Sequence, residues 1–309
     1  MNDEDIRKEN LEYFSQHVNT SLAFSMVLRG AQPGPHIVIV GGTHGTEPVG
    51  INASVVLHRY FTDHQEALLR GKITFILGNP QAYKENVRFI DENLNRAFHE
   101  NTSDTVEGKR AQEIQSHLKH TIVTALLDLH SVSVGEFQMA AYVKGEKNER
   151  FALQISPLPL HFIFTERDLP GSLIGDASRY GSDALAVECG NHNSSHAINV
   201  ALHHIHAVLQ LFNMIQSDTF PSYAPIDKTS SPATIYETIT PIKPHAGFHF
   251  FDSNVSTGTF AAKVAVFAID DEMKHTAPQD CYIVMPDKNP KPGDFDAGFL
   301  CTKKEITQS

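Results

Sequence analysis

Short apolar segments of strand length alternate with helix-like segments from residue 36 to residue 215, and this alternation restricts the fold more than any other feature of the chain. The predicted strands, all short and rich in apolar residues, are 36–41, 72–80, 121–130, 137–143, 160–165 and 184–190. The predicted helices are 48–61, 105–119 and 195–215, although the first residues of 121–130 also fit the preceding helix. Strands that alternate with helices pack as a sheet covered on both faces, so we predict an α/β fold.

The character of the sequence changes after residue 216. Residues 217–245 are rich in Pro, Ser and Thr and have no helical period, which is typical of a boundary and a crossing segment. Short strand-like pieces follow, separated by Gly, Asp and Pro, at 248–251, 260–269, 281–286 and 298–302. We therefore predict an α/β domain over 1–216, and a crossing segment with a small β domain over 217–309.

The charge and the cysteine content exclude several classes of function. The 25 Lys and Arg residues and 36 Asp and Glu residues give a net charge of −11 with neutral His, and such a surface repels nucleic acid. An anionic substrate would therefore need a locally basic site. No apolar run is long enough to cross a membrane, and the charged first ten residues contain no secretory signal. Three widely spaced cysteines fit neither a disulfide framework nor a zinc finger, and indicate a cytoplasmic protein.

The segment HIVIVGGTHGTEPVG, residues 36–50, joins a buried strand to a Gly-rich turn. A phosphate loop would carry Lys followed by Ser or Thr here, and a dinucleotide loop would carry GxGxxG. The turn has neither pattern, and Glu47 would repel a phosphate. One interpretation is that the turn presents His44 and Glu47 to a metal. The alternative is a loop His beside a helix start, where the helix dipole favours Glu47.

His130 ends the sequence LLDLH, with Asp128 two residues earlier on the same side of the predicted strand. Open α/β sheets present functional side chains at such strand ends. Two histidines and a carboxylate with one open position form the pattern of a catalytic zinc site, in which Asp128 would accept a hydrogen bond from a ligand imidazole. The spacing equally allows a hydrogen-bonded His at a strand terminus.

Arg88 and Arg96 lie in a polar, loop-like segment, 79–98, with Asn93 and Asn95 between them. The fork of Arg donors and the Asn side chains suit a grip on a carboxylate and on a carbonyl. This segment is the locally basic feature that an anionic substrate would need. The alternative is a pair of surface arginines that bind neighbouring carboxylates.

Glu188 lies inside the apolar strand sequence ALAVECG, where burial of a carboxylate is costly without a partner or a task. Partial burial would raise its pKa toward neutrality, the range that suits a general base. The alternative is an ion pair with an arginine such as Arg179, and both can hold. Cys189 is interpreted as a small core residue rather than a nucleophile, because it has no dedicated His partner.

Five further histidines crowd one region without a carboxylate or cysteine that would complete a ligand set. We interpret them as surface or packing residues; they are His192, His196, His203, His204 and His206.

The motifs GGTHGTE, GNPQA, RFIDENLNRAF, LDLH and AVECG, in this order, resemble those of the succinylglutamate desuccinylase/aspartoacylase family. These proteins are zinc-dependent amidohydrolases related to the zinc carboxypeptidases. The resemblance implies a mixed sheet flanked by helices and a small C-terminal β domain that covers the active-site cleft. The tail, 281–303, resembles the desuccinylase branch more than aspartoacylase.

The resemblance also implies the roles of individual residues. His44, Glu47 and His130 would bind one Zn²⁺ per chain, and Glu188 would be the general base and acid. Zinc would lower the pKa of a bound water toward about 7.

The same resemblance assigns the substrate contacts. Arg88 would polarise the scissile carbonyl, and Asn95 with Arg96 would hold the α-carboxylate of the amino acid. Arg179 resembles a substrate-binding Arg of the family, but its spacing is one residue short, which leaves its role open. Asn93 replaces the Asp of aspartoacylase-like sequences.

The expected reaction is hydrolysis of the amide bond of a small anionic N-acyl amino acid, first of all N-succinylglutamate. The alternatives are an aspartoacylase-like deacylase, a carboxypeptidase, and a non-catalytic metal or carboxylate binder. A non-catalytic binder would be expected to lack one of the metal-binding or catalytic residues, whereas all of these residues are present in the sequence. The sequence leaves open the acyl group, the use of another divalent metal and the formation of a homo-oligomer.

Overall fold

Residues 3–100, 103–133, 136–216, 220, 221, 223, 226, 233–290 and 296–306 are described by a computed structural model. The chain divides into two compact units, Met1–Leu158 with Pro170–Thr229, and Pro159–Leu169 with Ser230–Ser309. No helix among the described residues has the length and apolar character to span a bilayer.

The secondary structure follows the predicted alternation. The helices are α1 (Asp3–Gln16), α2 (Val49–Asp63), α3 (Pro80–Glu85), α4 (Val106–Lys119), α5 (Glu146–Ile155), α6 (Leu173–Arg179) and α7 (Ser195–Leu211). Two short 3-10 helices are Gln65–Ala67 and Leu94–Arg96. The strands are β1 (Ser25–Arg29), β2 (Gln32–Gly41), β3 (Arg70–Leu77), β4 (Ala125–Val132), β5 (Gln138–Val143), β6 (Leu160–Phe164), β7 (Asp183–Asn191), β8 (Ala233–Pro241), β9 (His249–Phe250), β10 (Thr259–Ala261), β11 (Val266–Ile269), β12 (Lys274–Thr276), β13 (Cys281–Val284) and β14 (Phe299–Ile306).

The sheet of the first unit has the strand order β1-β3-β2-β4-β7-β5. The four central strands β3, β2, β4 and β7 are parallel, and the outer strands β1 and β5 are antiparallel to their neighbours. Residues 37–40 of β2 are completely buried, as expected for a strand covered on both faces. Helices α2, α5, α6 and α7 pack against this sheet.

The second unit contains two sheets. The strand order of the larger is β6-β8-β14-β13-β10, in which β6 and β8 are parallel and the other pairs antiparallel. A three-stranded antiparallel sheet has the order β12-β11-β9. The hydrophobic core of the second unit includes Phe248, Val255, Ala268 and Ile283.

The mixed α/β sheet with flanking helices and the smaller C-terminal sheets confirm the predicted fold class. Several elements differ from the predicted bounds. Strand β4 begins at Ala125 rather than residue 121, because Thr121 N–H still bonds to the carbonyl of Leu118 in the turn after α4. The predicted strand-like piece 260–269 is divided between β10 and β11, which belong to different sheets. Strand β8 lies within the predicted crossing segment, where its polar residues and its final proline concealed it.

The predicted domain boundary stays a prediction. The second unit includes Pro159–Leu169, which the sequence assigned to the domain 1–216. Most of 217–232, the first part of the predicted crossing segment, lies outside the described residues, as do 291–295 of the tail.

Candidate active site

The candidate site lies at the carboxyl ends of the parallel strands of the first unit. Gly41, the last residue of β2, pairs with Leu129 of β4, so the turn after β2 lies beside His130. This edge of an open α/β sheet is where such folds present functional groups.

The turn after β2 has the backbone geometry that its glycines permit. Gly42 has φ +67°, a left-handed conformation that residues with a side chain rarely adopt. A side chain at Gly45 would collide with the backbone of Ala82. Glu47 N–H bonds to the carbonyl of His44 at 3.1 Å, so the turn brings the two side chains to one side.

Glu47 joins the two histidines. Its Oε1 lies 2.8 Å from Nδ1 of His44, and its Oε2 lies 2.9 Å from Nδ1 of His130. All three residues are buried, and one ligand atom of each lies within 4.8 Å of the others. Within the described part of the chain this is the one group of three or more metal-binding side chains with such spacing.

The second nitrogen of each imidazole faces an oxygen. Nε2 of His130 lies 2.9 Å from Oδ2 of Asp128, whose Oδ1 accepts a 2.7 Å hydrogen bond from the hydroxyl of Thr43. Nε2 of His44 lies 3.1 Å from Oδ1 of Asn93. A proton on Nε2 leaves the Nδ1 lone pair for a metal, and outer oxygen partners of this kind orient metal-binding histidines. The donor set therefore fits zinc, which binds imidazole nitrogen and carboxylate oxygen.

The electrostatics of the cluster favour a positive charge beside Glu47. Burial lowers the pKa of His130, but Asp128 and Glu47 outweigh burial and hold that pKa well above its ordinary value. Burial raises the pKa of Glu47, yet the two histidines outweigh it and hold that pKa well below its ordinary value. At His44, burial and then the charge of Arg88 lower the pKa to about 4, so this imidazole is neutral and can act as a ligand.

Glu188 lies on β7 directly beside His130 of β4 in the strand register. Burial raises the pKa of Glu188 to about 7, with the charge of His130 opposing the rise and that of Glu47 adding to it. A carboxyl group with this pKa exchanges a proton readily near neutral pH. Burial, and next the charge of Glu188, raise the pKa of Cys189 well above its ordinary value, so this thiol is not an activated nucleophile.

The arginine-containing segment reaches the cluster at two points. Arg88 is half exposed, and its Nη1 donates to Oε1 of Glu47 at 3.2 Å. Asn93 contacts His44 and also caps the 3-10 helix Leu94–Arg96 by accepting the N–H of Asn95 at 2.9 Å. Asn95 Oδ1 accepts the N–H of Leu173 at 2.9 Å, and Arg96 Nη1 donates to the Asn95 carbonyl at 2.7 Å.

Arg179 lies on the helix that precedes β7. It ends α6 and donates to Asp176 at 3.1 Å. The strand that follows starts at Asp183, opposite Ala125 at the beginning of β4, whereas Glu188 lies opposite His130. Five strand residues span roughly 16 Å. The pairing of Arg179 with Glu188 and its role in substrate binding stay predictions.

Two residues of the site had no distinct signal in the sequence. Thr43 positions Asp128 from within the Gly-rich turn, and Glu107 of α4 binds the segment between Arg88 and Asn93. The sequence showed Glu107 only as a glutamate near a predicted helix start, and the backbone amides that bind it lie in a different segment. The crowded histidines form no metal group among the described residues, and His204 is a buried packing residue bonded to Val200 and Ser156.

Residues 33–212 match the model of the succinylglutamate desuccinylase/aspartoacylase catalytic domain. A probable aspartoacylase of Acaryochloris marina is 38% identical over 106 residues, which are 31% of this chain and 35% of that protein. An N-acyl-aromatic-L-amino acid amidohydrolase (carboxylate-forming) of Xenopus tropicalis is 29% identical over 215 residues, which are 60% of this chain and 66% of that protein. The chain thus spans less than two thirds of the length of these curated relatives.

Solved structures show the same fold. A succinylglutamate desuccinylase of Chromobacterium violaceum superposes with a TM-score of 0.68 at 16% sequence identity, and the match covers 99% of both chains.

Proposed function

Because the chain belongs to the succinylglutamate desuccinylase/aspartoacylase family, we propose that it is a zinc-dependent hydrolase that cleaves the amide bond of an N-acyl amino acid. The products are a carboxylic acid and a free amino acid. The observation that carries the proposal is the convergence of His44, Glu47 and His130, with Glu188 beside His130 on the neighbouring strand.

His44 and His130 would hold zinc through Nδ1, and Glu47 through its carboxylate, since these atoms already face one another. When bound, zinc supplies a Lewis acid that makes water nucleophilic near neutral pH and polarises a carbonyl. Asp128 and Asn93 keep the two imidazoles in the required tautomer.

Glu188 transfers the proton of the reaction. It accepts a proton from the attacking water and then donates it to the amine nitrogen that leaves. One group can perform both steps because its pKa, raised to about 7 by burial, lies near the working pH. Gln at this position can do neither.

Arg88 and the turn Leu94–Arg96 bind the substrate. Arg88 lies against Glu47 with half of its side chain exposed, so its remaining N–H groups can donate to the carbonyl oxygen as negative charge develops there. Arg96 and Asn95 would hold the α-carboxylate, for which a guanidinium fork is suited. These groups supply local positive charge in a chain of net charge −11.

N-succinylglutamate is the first substrate that we propose, since the tail resembles the desuccinylase branch. The second substrate class that we propose is N-acyl aromatic amino acids, because the Xenopus tropicalis amidohydrolase for such compounds aligns over 60% of the chain. The buried free cysteines Cys189, Cys281 and Cys301 fit the reducing cytoplasm that we propose as its location.

A panel of N-acyl amino acids tests the function. Zinc-loaded protein is incubated with N-succinylglutamate, N-acetylaspartate and an N-acetyl aromatic amino acid, and the free amine is quantified. We expect release from one member of the panel and its loss in Glu188→Gln. No release from any N-acyl amino acid, with zinc bound, would refute the proposal.

A further inference from the structure

Glu107, the second residue of α4, is a completely buried carboxylate outside the metal cluster. Burial of a carboxylate without partners is costly, so its hydrogen bonds show what it does. Its position in the first helical turn is favourable because the helix dipole stabilises negative charge there.

The four hydrogen bonds that Glu107 makes within the described part of the chain come from uncharged donors. Oε1 accepts from the backbone N–H of Ile90 at 2.7 Å and from Nδ2 of Asn79 at 2.8 Å. Oε2 accepts from the backbone N–H groups of Asp91 at 3.0 Å and Glu92 at 3.3 Å. Three successive backbone amides thus wrap one carboxylate, the arrangement by which a nest of N–H groups binds an anion. Residues 90–92 are thereby held to α4.

Residues 90–92 connect the groups that we assign to the substrate. Arg88 precedes them, and its carbonyl accepts the N–H of Gly45 in the metal-binding turn at 3.0 Å. Asn93 and the 3-10 helix Leu94–Arg96 follow them directly. A change in the path of 90–92 therefore moves the substrate-binding side chains on both sides.

We infer that Glu107 is a positioning residue for substrate recognition, which holds 90–92 so that Arg88 and the turn Leu94–Arg96 face the substrate. This role rests on the proposed function. Glu107 makes no hydrogen bond or ion pair with His44, Glu47 or His130, and the segment that it holds reaches the metal cluster through Asn93, the outer partner of His44. Loss of the carboxylate therefore weakens substrate binding more than metal binding, because the side chains of His44, Glu47 and His130 themselves keep their mutual contacts.

The test compares Glu107→Gln with Glu85→Gln, the same change at an exposed residue of α3. The Gln amide has one oxygen and one NH₂ group, and the latter faces N–H donors. Glu107→Gln therefore removes acceptors for the backbone amides of 90–92. We expect KM, and the Kd of the amino-acid product measured by calorimetry, to increase about tenfold or more. The zinc Kd, measured by competition with a chromophoric chelator, rises by a clearly smaller factor than the product Kd.

Amide hydrogen exchange provides a readout independent of activity. In Glu107→Gln we expect faster exchange at 90–92 and unchanged exchange in β4. Glu107→Asp, which keeps the charge, restores part of the product affinity, and it replaces Glu107→Gln if the latter does not fold. Unchanged KM, product Kd and exchange at 90–92, or a parallel loss of zinc and product affinity, would overturn the inference. A wild-type protein without hydrolase activity would instead refute the proposed function, while the exchange rates still report on the loop.

Discussion

His44 and His130 each divide their ring nitrogens between two partners. Nδ1 faces Glu47, while Nε2 faces Asn93 or Asp128. A neutral imidazole has one donor nitrogen and one acceptor nitrogen, so an oxygen that accepts from Nε2 leaves Nδ1 as the ligand. The outer oxygens would therefore influence how well the two histidines bind a metal.

Replacement of Asp128 by Asn tests this division. The uncharged amide is a weaker acceptor for Nε2 of His130, and changes of such outer partners lower metal affinity by about 10- to 100-fold. We expect a loss of this size in the zinc affinity of Asp128→Asn, measured by chelator competition. Asp63→Asn, at an exposed residue at the end of α2, is the control. Equal zinc affinity in both variants would show that Asp128 has no such role.

Glu188→Gln would remove the proposed proton carrier and keep the three proposed metal ligands. We expect kcat to fall by about 10²- to 10⁴-fold, the usual contribution of general acid–base catalysis, with zinc still bound. For the wild type we expect kcat/KM to rise with pH as Glu188 loses its proton, with a midpoint at or below the pKa of about 7, because a bound cation would lower this pKa further. Near-normal turnover in Glu188→Gln would exclude Glu188 as the base.

At the scale of elements, the sequence predicted the strands that are buried on both faces. Strands such as β2 and β4 are nearly continuous apolar runs, and burial leaves them few alternatives. Helix α1 was not predicted because its buried residues include Arg7 and Asn10, which bond to polar groups rather than pack as an apolar stripe. Hydrophobic periodicity does not detect a helix that docks through hydrogen bonds.

The candidate site, like the fold, was predictable from the sequence only in part. His44, Glu47 and His130 lie in motifs at predicted strand ends, where functional side chains converge, but their spacing left the metal role open and only the resemblance to the family implied it. Asn93 and Glu107 contact the site through tertiary bonds, and Glu107 reaches residues 15 to 17 positions away in the chain. Spacing in the sequence carries no signal for such contacts.

His36 of β2 makes the stability of the sheet depend on pH. Its Nε2 lies 2.8 Å from the hydroxyl of Thr74 on β3, and burial, then the charge of Lys72, lower its pKa to about 3. The unfolded chain, with an ordinary His pKa of about 6.5, binds the proton more readily, so stability is lost as the pH falls from about 6.5 toward 3.

Replacement of His36 by Gln tests this dependence. We expect the unfolding free energy of His36→Gln to fall less steeply than that of the wild type as the pH is lowered through this range. The difference amounts to a few kcal/mol, at about 1.4 kcal/mol per pKa unit. Chemical denaturation at several pH values measures it, with exposed His120→Gln as the control. Parallel pH profiles for wild type and His36→Gln would contradict the assignment.

At the scale of the whole molecule, the metal would link distant parts of the chain. Glu47 and His130 are 83 positions apart, and they come from the turn before α2 and from β4. Zinc bound to the folded chain alone raises the unfolding free energy, by about 2.7 kcal/mol at a free concentration 100 times the Kd. We expect a zinc-dependent rise in melting temperature, and its loss in His44→Ala. The same rise in both proteins would place the metal elsewhere.

The central claim is that His44, Glu47 and His130 hold the zinc on which amide hydrolysis depends. Its most direct test is amine release from the preferred N-acyl amino acid by native protein, by protein stripped with a chelator, and by stripped protein reloaded with zinc. We predict that stripping abolishes release and that one equivalent of zinc per chain restores it, but not in His130→Ala. Full activity of the stripped protein, or restoration in His130→Ala, would contradict the claim.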